Sequence, residues 1–252
     1  MESKVEQLEQ RVATLSNGQI ALLDTIIDTF QQPITSSRLD SSDVVSADFL
    51  VAFGDVLKLH HTMSDDYLDK HRFEAAMERV YRALGRNAFR PGRNNPGHDI
   101  SVDDVPWSLK TQGDNNIKPD TLHISKFMEL GKGKWKVESD LPGLRDRFLQ
   151  HLAAYHRIFQ LRYFRQIPTD IKPANHFYEL VEIPKVLLQE AANGQCLMMK
   201  KSTQTPKPGY CTVIGEDGRI KFRLYFDGGT ERKLQIKDLR KDLCWVHANW
   251  EF

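Results

Sequence analysis

The sequence predicts an α/β (α+β) chain with a central mixed β-sheet flanked by helices, a helical N-terminal region and a β-rich C-terminal part. Three observations predict it. Apolar residues recur at three-four spacing through much of the first 84 residues, as in helices that bury one face. Between 99 and 183 the runs VPWSLKTQ, RIFQLRYF and FYELVEI are short and alternating or continuously apolar, as in strands. Beyond residue 200 further short runs are separated by Asp217-Gly218 and Asp227-Gly228-Gly229, which are turn sequences.

Taken in order, Val5, Leu8, Val12 and Leu15, then Leu22, Leu23, Ile26, Ile27 and Phe30, predict a helix over residues 2–31 that Ser16-Asn17-Gly18 interrupts. The run is too short for a sustained coiled coil, so it is expected to pack on its own domain, with a dimerisation arm as the competing reading. Residues 33–42 read as a loop. Helices are expected over 47–59 and 66–84, the second capped by Ser64-Asp65-Asp66 and ended by Gly85. Residues 87–97, rich in Asn, Pro and Gly, form a loop. A short helix is expected over 122–130, a turn at 131–134 and a helix over 144–155. Strands are expected at 157–164 and 177–183, and a helix over 184–192 with proline in its first turn. Short strands then fall at 209–214, 219–226 and 231–236, with a last one at 244–252.

A formal net charge of +1, from 35 basic and 34 acidic residues, excludes a histone-like binder coated in base. It leaves room for an enzyme with a local basic cleft and acidic metal ligands. Cys196, Cys211 and Cys244 are widely spaced and form no CxxC pair, so reduced thiols are expected rather than structural zinc or a disulfide framework. A polar N-terminus and the lack of a long apolar run predict no signal peptide, no membrane span and a cytoplasmic setting.

The stretch GHDISVDDVPWSLKTQ, residues 97–112, carries the chemistry. Asp103-Asp104 is the bend between two short strands. Alternation puts Ser108, Lys110 and Gln112 on one face and Trp107, Leu109 and Thr111 on the other. A carboxylate on one strand and a lysine on the next can hold a divalent metal against a phosphodiester. Asp99 would be the ligand and Lys110 the fixed charge.

Asp99 and Ser108-Leu109-Lys110 together resemble the PD-(D/E)XK nuclease superfamily, and within it the type II restriction endonucleases. The resemblance spans roughly residues 65–190. It implies a restriction-endonuclease-like fold, Mg2+ as cofactor, double-stranded DNA as substrate, a homodimer, and a cognate DNA methyltransferase in the same host. Asp99 matches the family's aspartate and Lys110 its lysine. Ser108 stands where the second acid belongs, so the sequence carries a Ser-x-Lys variant and needs a carboxylate from elsewhere. Glu74, in the helix before the core strands, is the first candidate for catalysis and metal binding. Glu78 and Glu129 compete with it. Gln112 extends the catalytic face toward a phosphate or base.

The expected organisation is a helical region at 1–62 for packing or dimerisation, a nuclease core at 63–195, and a C-terminal part at 196–252 that continues the core. DNA contacts are expected from Arg90 and Arg93 beside Asp99, from Lys200, Lys201 and Gln204, and from the cationic strand face of Arg219, Lys221 and Arg223. Two alternatives share these features: a repair or recombination nuclease of the same superfamily, and a DNA-binding module whose nuclease site has decayed at Ser108. The recognition sequence, cut position and end type are not legible.

Overall fold

The structure, a computed structural model, describes residues 3–92, 97–114, 117–131, 135–165 and 176–252. Its N-terminal half runs α1 (Lys4–Val12), α2 (Asn17–Gln31), β1 (Thr35–Arg38), α3 (Ala47–Met63), α4 (Lys70–Ala83), β2 (Ala88–Phe89), β3 (Ile100–Val102), β4 (Val105–Gln112) and β5 (Thr121–Glu129). There follow α5 (Leu141–His151), β6 (Arg157–Arg165), β7 (His176–Glu182), α6 (Lys185–Gln189), β8 (Gln195–Met198), β9 (Gly209–Ile214), β10 (Ile220–Phe226), β11 (Lys233–Arg240) and β12 (Trp245–Glu251).

Seven strands form one sheet in the order β1-β12-β7-β6-β4-β3-β2. It is mixed: β4 and β6 pair in parallel, and the other neighbours are antiparallel. Alternation decides what each face meets. Trp107, Leu109, Phe159, Leu161, Leu180 and Trp250 point to one side, where they bury Phe49 and Phe53 of α3 and Phe73 and Met77 of α4. Ile158 and Val181 point to the other side, toward Leu144 and Phe148 of α5 and the inner face of a second sheet. That sheet has five strands in the order β5-β11-β10-β9-β8. The two sheets exchange strands across the expected divisions of the chain. β12, from the C-terminal part, lies inside the seven-stranded sheet, and β5, from the central part, edges the five-stranded one.

Several elements differ from expectation. The expected helix over 122–130 is instead strand β5, Thr121–Glu129. Its pairing with β11 slips between Ile124 and Met128, a bulge that spaces the buried Leu122, Ile124 and Phe127 by two and then three residues. That spacing imitates a helical stripe. Helix α4 begins at Lys70, capped by Asp69 rather than by the Ser64 cluster. Residues 64–69 instead run to the sheet, where the Leu68 N–H donates to the Tyr178 hydroxyl. The 33–42 loop contains edge strand β1, held by backbone pairing to β12 that no side-chain pattern announces.

The N-terminal helix is divided as expected, and Ser16 caps its second half. Its second half lies against α3, and its first half stays exposed. α1 has no buried residue, and Val5 and Leu8 remain more than half exposed. Only Thr29 of α2 is buried, against Thr62 of α3. Cys196 and Cys211 are joined as a disulfide, against the expectation of free thiols, because they face each other across the β8–β9 ladder. Among the described residues, no helix is long and apolar enough to cross a membrane.

Candidate active site

The β3–β4 hairpin builds the site. Asp103 and Asp104 have φ of 48° and 64°, both in the left-handed region, as a two-residue type I′ turn requires. The Asp103 carboxylate meets the geometric demand by accepting from the Asn87 N–H and from Arg86 Nε. The turn fixes the register in which the Asp99 N–H donates to the Trp107 carbonyl at 2.9 Å. Asp99 therefore lies beside Ser108, Leu109 and Lys110.

Its carboxylate is crowded with donors. The Leu109 N–H donates to Oδ2 at 2.6 Å and the Ser108 hydroxyl to the same oxygen at 3.1 Å. Lys110 Nζ lies 3.8 Å from Oδ2. Lys70 Nζ, from the first turn of α4, donates to Oδ1 at 2.7 Å. Burial favours the neutral acid, but Lys110, Lys70 and the Leu109 N–H outweigh it and hold the Asp99 carboxyl below the usual carboxylate range. Lys110 is the converse. Its stem lies in the wall between the sheets, with Nζ 5.2 Å from the Phe127 ring centre. Burial, only partly offset by Asp99, brings its ammonium down to about 8. For Lys70 burial acts in the same sense, yet Asp99 and Glu74 together raise it above the ordinary lysine value.

Lys70 also joins Asp99 to Glu74, whose Oε1 is 3.4 Å from the same ammonium. Glu74 faces a cleft of about 950 Å³ that it shares with Asp99, His98 and Arg90. Next to that cleft is a cavity of about 470 Å³ bounded by Asp99, Ser108 and Lys110, by Lys126 to Glu129 of β5, and by His151 and Tyr155. The structure thus brings together Asp99, Ser108 and Lys110, with Glu74 adjoining. His98 lines both spaces, although strict alternation would turn it away from Asp99.

Other expectations fall elsewhere. Gln112 is buried, and its Oε1 accepts from the His123 N–H at 3.3 Å, so it ties β4 to β5 and does not line the cavity. Two positions along, alternation still holds, but β5 covers that end of the face. Glu78 pairs with Arg90 and Arg82. Glu129 sits at the cavity rim, paired with Lys126. Arg90 lines the Glu74 cleft, and Arg93 lies outside the described residues. Lys200, Lys201 and Gln204 line a separate hollow with Tyr225. The strand face at Arg219, Lys221 and Arg223 does not present the free cationic row expected of it. Each cation meets a carboxylate: Asp217, Glu190 and Asp238 respectively. Lys70 and Tyr155, absent from the expected site, line the Asp99 cavity, as does His151, which the sequence places on a helix surface or in the core. Only Lys70 carried a signal, four residues before Glu74 on one helix face.

A restricted, cation-lined carboxylate at the edge of a mixed sheet suits phosphodiester cleavage, and comparison with known proteins fixes the class. Residues 8–252 match the family model for SmaI, described as type II site-specific deoxyribonuclease, and the chain belongs to that family. The type II restriction enzyme SmaI of Serratia marcescens is 46% identical over 213 residues, which cover 84% of this chain and 83% of that enzyme. No solved structure matches. The protein is a sequence-specific type II restriction endonuclease.

Proposed function

We propose that this endonuclease cleaves double-stranded DNA at a PD-(D/E)XK centre of the Ser-x-Lys type, with Asp99 and Lys110 as the central pair and Glu74 supplying the missing carboxylate. The observation that carries this reading is that Asp99 stands between the other two, sharing a cavity with Lys110 and the adjoining cleft with Glu74, to which Lys70 links it. Among the described residues, no group of three His, Cys, Asp or Glu side chains is poised to hold a metal. Beside Asp99 the oxygen donors are two carboxylates and the Ser108 hydroxyl, which suit a hard cation, and His98 and His151 also line these spaces. The two carboxylates already share one cation, the Lys70 ammonium. The set therefore fits Mg2+, with Asp99 and Glu74 as its ligands. When bound, Mg2+ supplies Lewis-acid stabilisation of charge on the phosphate oxygens.

The protein's own groups do the rest. Ser108 and the Leu109 N–H hold the Asp99 carboxylate in one orientation. Lys110, lowered to about 8 by burial, sits where it can place positive charge beside the scissile phosphate or, as the neutral amine, take a proton from the attacking water. The product is a 3′-hydroxyl and a 5′-phosphate. Residues 63–195 carry this centre. Arg90, Lys200, Lys201 and Gln204 contact DNA, the last three from the 196–252 part. One centre per chain cuts one strand, so cutting both strands of a twofold site calls for a homodimer, to which residues 1–62 contribute. The enzyme works in the cytoplasm beside a cognate methyltransferase that protects host DNA.

Plasmid digestion tests the assignment. Discrete fragments are expected with Mg2+ and none with EDTA. Lys110→Ala is expected to abolish cleavage and keep duplex binding. Full cleavage by Lys110→Ala would sink the assignment. Sedimentation at micromolar concentration tests the dimer.

A further inference from the structure

We infer that the outward face of α4 is a phosphate track that holds the duplex backbone beside the Asp99 centre; this rests on the endonuclease reading. The helix starts at the centre, where Lys70 meets Asp99 and Glu74. Along the same helix, Ala75, Glu78, Arg79 and Arg82 line a hollow of about 350 Å³ together with Arg90. Arg90 also lines the cleft that holds Asp99 and Glu74. Arg90 is thus common to both spaces, and the track would carry a strand from one past Arg90 to the other.

Charge separates this surface from the cationic face of the C-terminal sheet. Three arginines face the hollow against one carboxylate, Glu78, which takes Arg90 at 2.6 Å and Arg82 at 3.8 Å. Among the described residues, no carboxylate pairs with Arg79. On the C-terminal sheet, by contrast, Arg219, Lys221 and Arg223 each have a carboxylate of their own. A guanidinium without a carboxylate keeps its fork of donors for a phosphate, which it matches two bonds at a time. Ala75 adds no bulk between the arginines and the helix start. From Lys70 to Arg82 the helix runs about 18 Å. DNA rises about 3.4 Å per phosphate along its axis and the path along the strand is longer, so the track holds fewer than about five phosphates. Three arginines against one carboxylate make positive charge the chief recognition feature of the hollow, as suits phosphates. The partner is thus the sugar-phosphate backbone flanking the cut, bound without regard to sequence.

The test is the salt dependence of duplex binding, followed by fluorescence anisotropy in EDTA so that nothing is cut. Each phosphate contact contributes about 0.9 to the slope of log K against log salt. Arg79→Ala/Arg82→Ala is expected to lower that slope by about 0.9 for Arg79 and by up to about 1.8 with Arg82, whose partner Glu78 is shared with Arg90, Arg79→Lys/Arg82→Lys to restore most of it, and Arg219→Ala to leave it unchanged. An unchanged slope in a double variant that melts like the wild type overturns the track. If the double variant loses its cooperative melt, Arg79→Ala alone decides, with an expected fall of about 0.9. Plasmid cleavage by the wild type is scored in parallel. Cleavage with an unchanged slope overturns the track and keeps the endonuclease reading. A lowered slope without wild-type cleavage supports the track and overturns that reading.

Discussion

Replacing Lys110 by Met should change the pH dependence of stability in the metal-free protein, by an amount the structure sets. Burial brings the folded-state value of Lys110 to about 8, against 10.5 for an ordinary lysine. Between those values the unfolded chain holds a proton that the folded protein has released. Stability therefore rises with pH across this window. Below about pH 8 the folded state bears the full cost of a charged amine in the wall of the cavity, and above about 10.5 it bears none. One pKa unit is about 1.4 kcal/mol, so the difference of roughly 2.5 units amounts to on the order of 3 kcal/mol. Lys110→Met removes this titration and little volume. The stability of the variant minus that of the wild type should then be about 3 kcal/mol more favourable to the variant at pH 7 than at pH 10.5. Packing changes and the loss of a partner for Asp99 add a constant offset, which cancels in that comparison because Asp99 stays ionised throughout. The assay is urea unfolding in EDTA at half-unit steps of pH, with the midpoint and slope fitted for both proteins. A difference that stays level from pH 7 to 10.5 would refute the argument and show Lys110 to be solvated in the folded protein.

Other substitutions test separate parts of the structure. Asp99→Asn leaves Lys70 and Lys110 facing each other without their shared carboxylate, and cleavage should fall by at least about 100-fold, as when a preorganised charge is removed from a site, read by single-turnover digestion. Glu74→Gln should lower the affinity for Mn2+, titrated by calorimetry without DNA; unaltered affinity would exclude Glu74 as a ligand. Gln112→Ala should cost about 1–2 kcal/mol in urea unfolding, the value of a hydrogen bond whose partner is left buried, and leave plasmid cleavage per folded molecule unchanged. Trp250→Ala removes a fully buried ring that packs 5.1 Å from Phe53 and donates to the Leu50 carbonyl. It should cost about 3–5 kcal/mol, read from the same unfolding curves.

The hairpin at 99–112 was legible because its signals are local. Asp-Asp fits a tight turn, and alternation over VPWSLKTQ sorts Lys110 from Leu109 without knowledge of any partner strand. Strand β5 was misread because a bulge broke the period by which strands are recognised. The Cys196–Cys211 disulfide was missed because opposition across a ladder is a property of register, which residue spacing does not carry. The cationic face of Arg219 to Arg223 was read correctly as alternation and wrongly as free charge. Its neutralising partners, Glu190 and Asp238, come from other elements.

By itself the sequence determined the class of fold, the Asp99–Lys110 pair and the likeness to restriction endonucleases, since these rest on neighbours within about a dozen residues. The tertiary structure decided which acid adjoins that pair, because Glu74 lies 25 positions before Asp99 and meets it only through Lys70. It also decided that Gln112 ties two strands together and that Lys110 is buried enough to lower its ammonium. Both follow from the five-stranded sheet closing over one face of β4, and solvation and partner charge depend on what lies across that interface rather than along the chain.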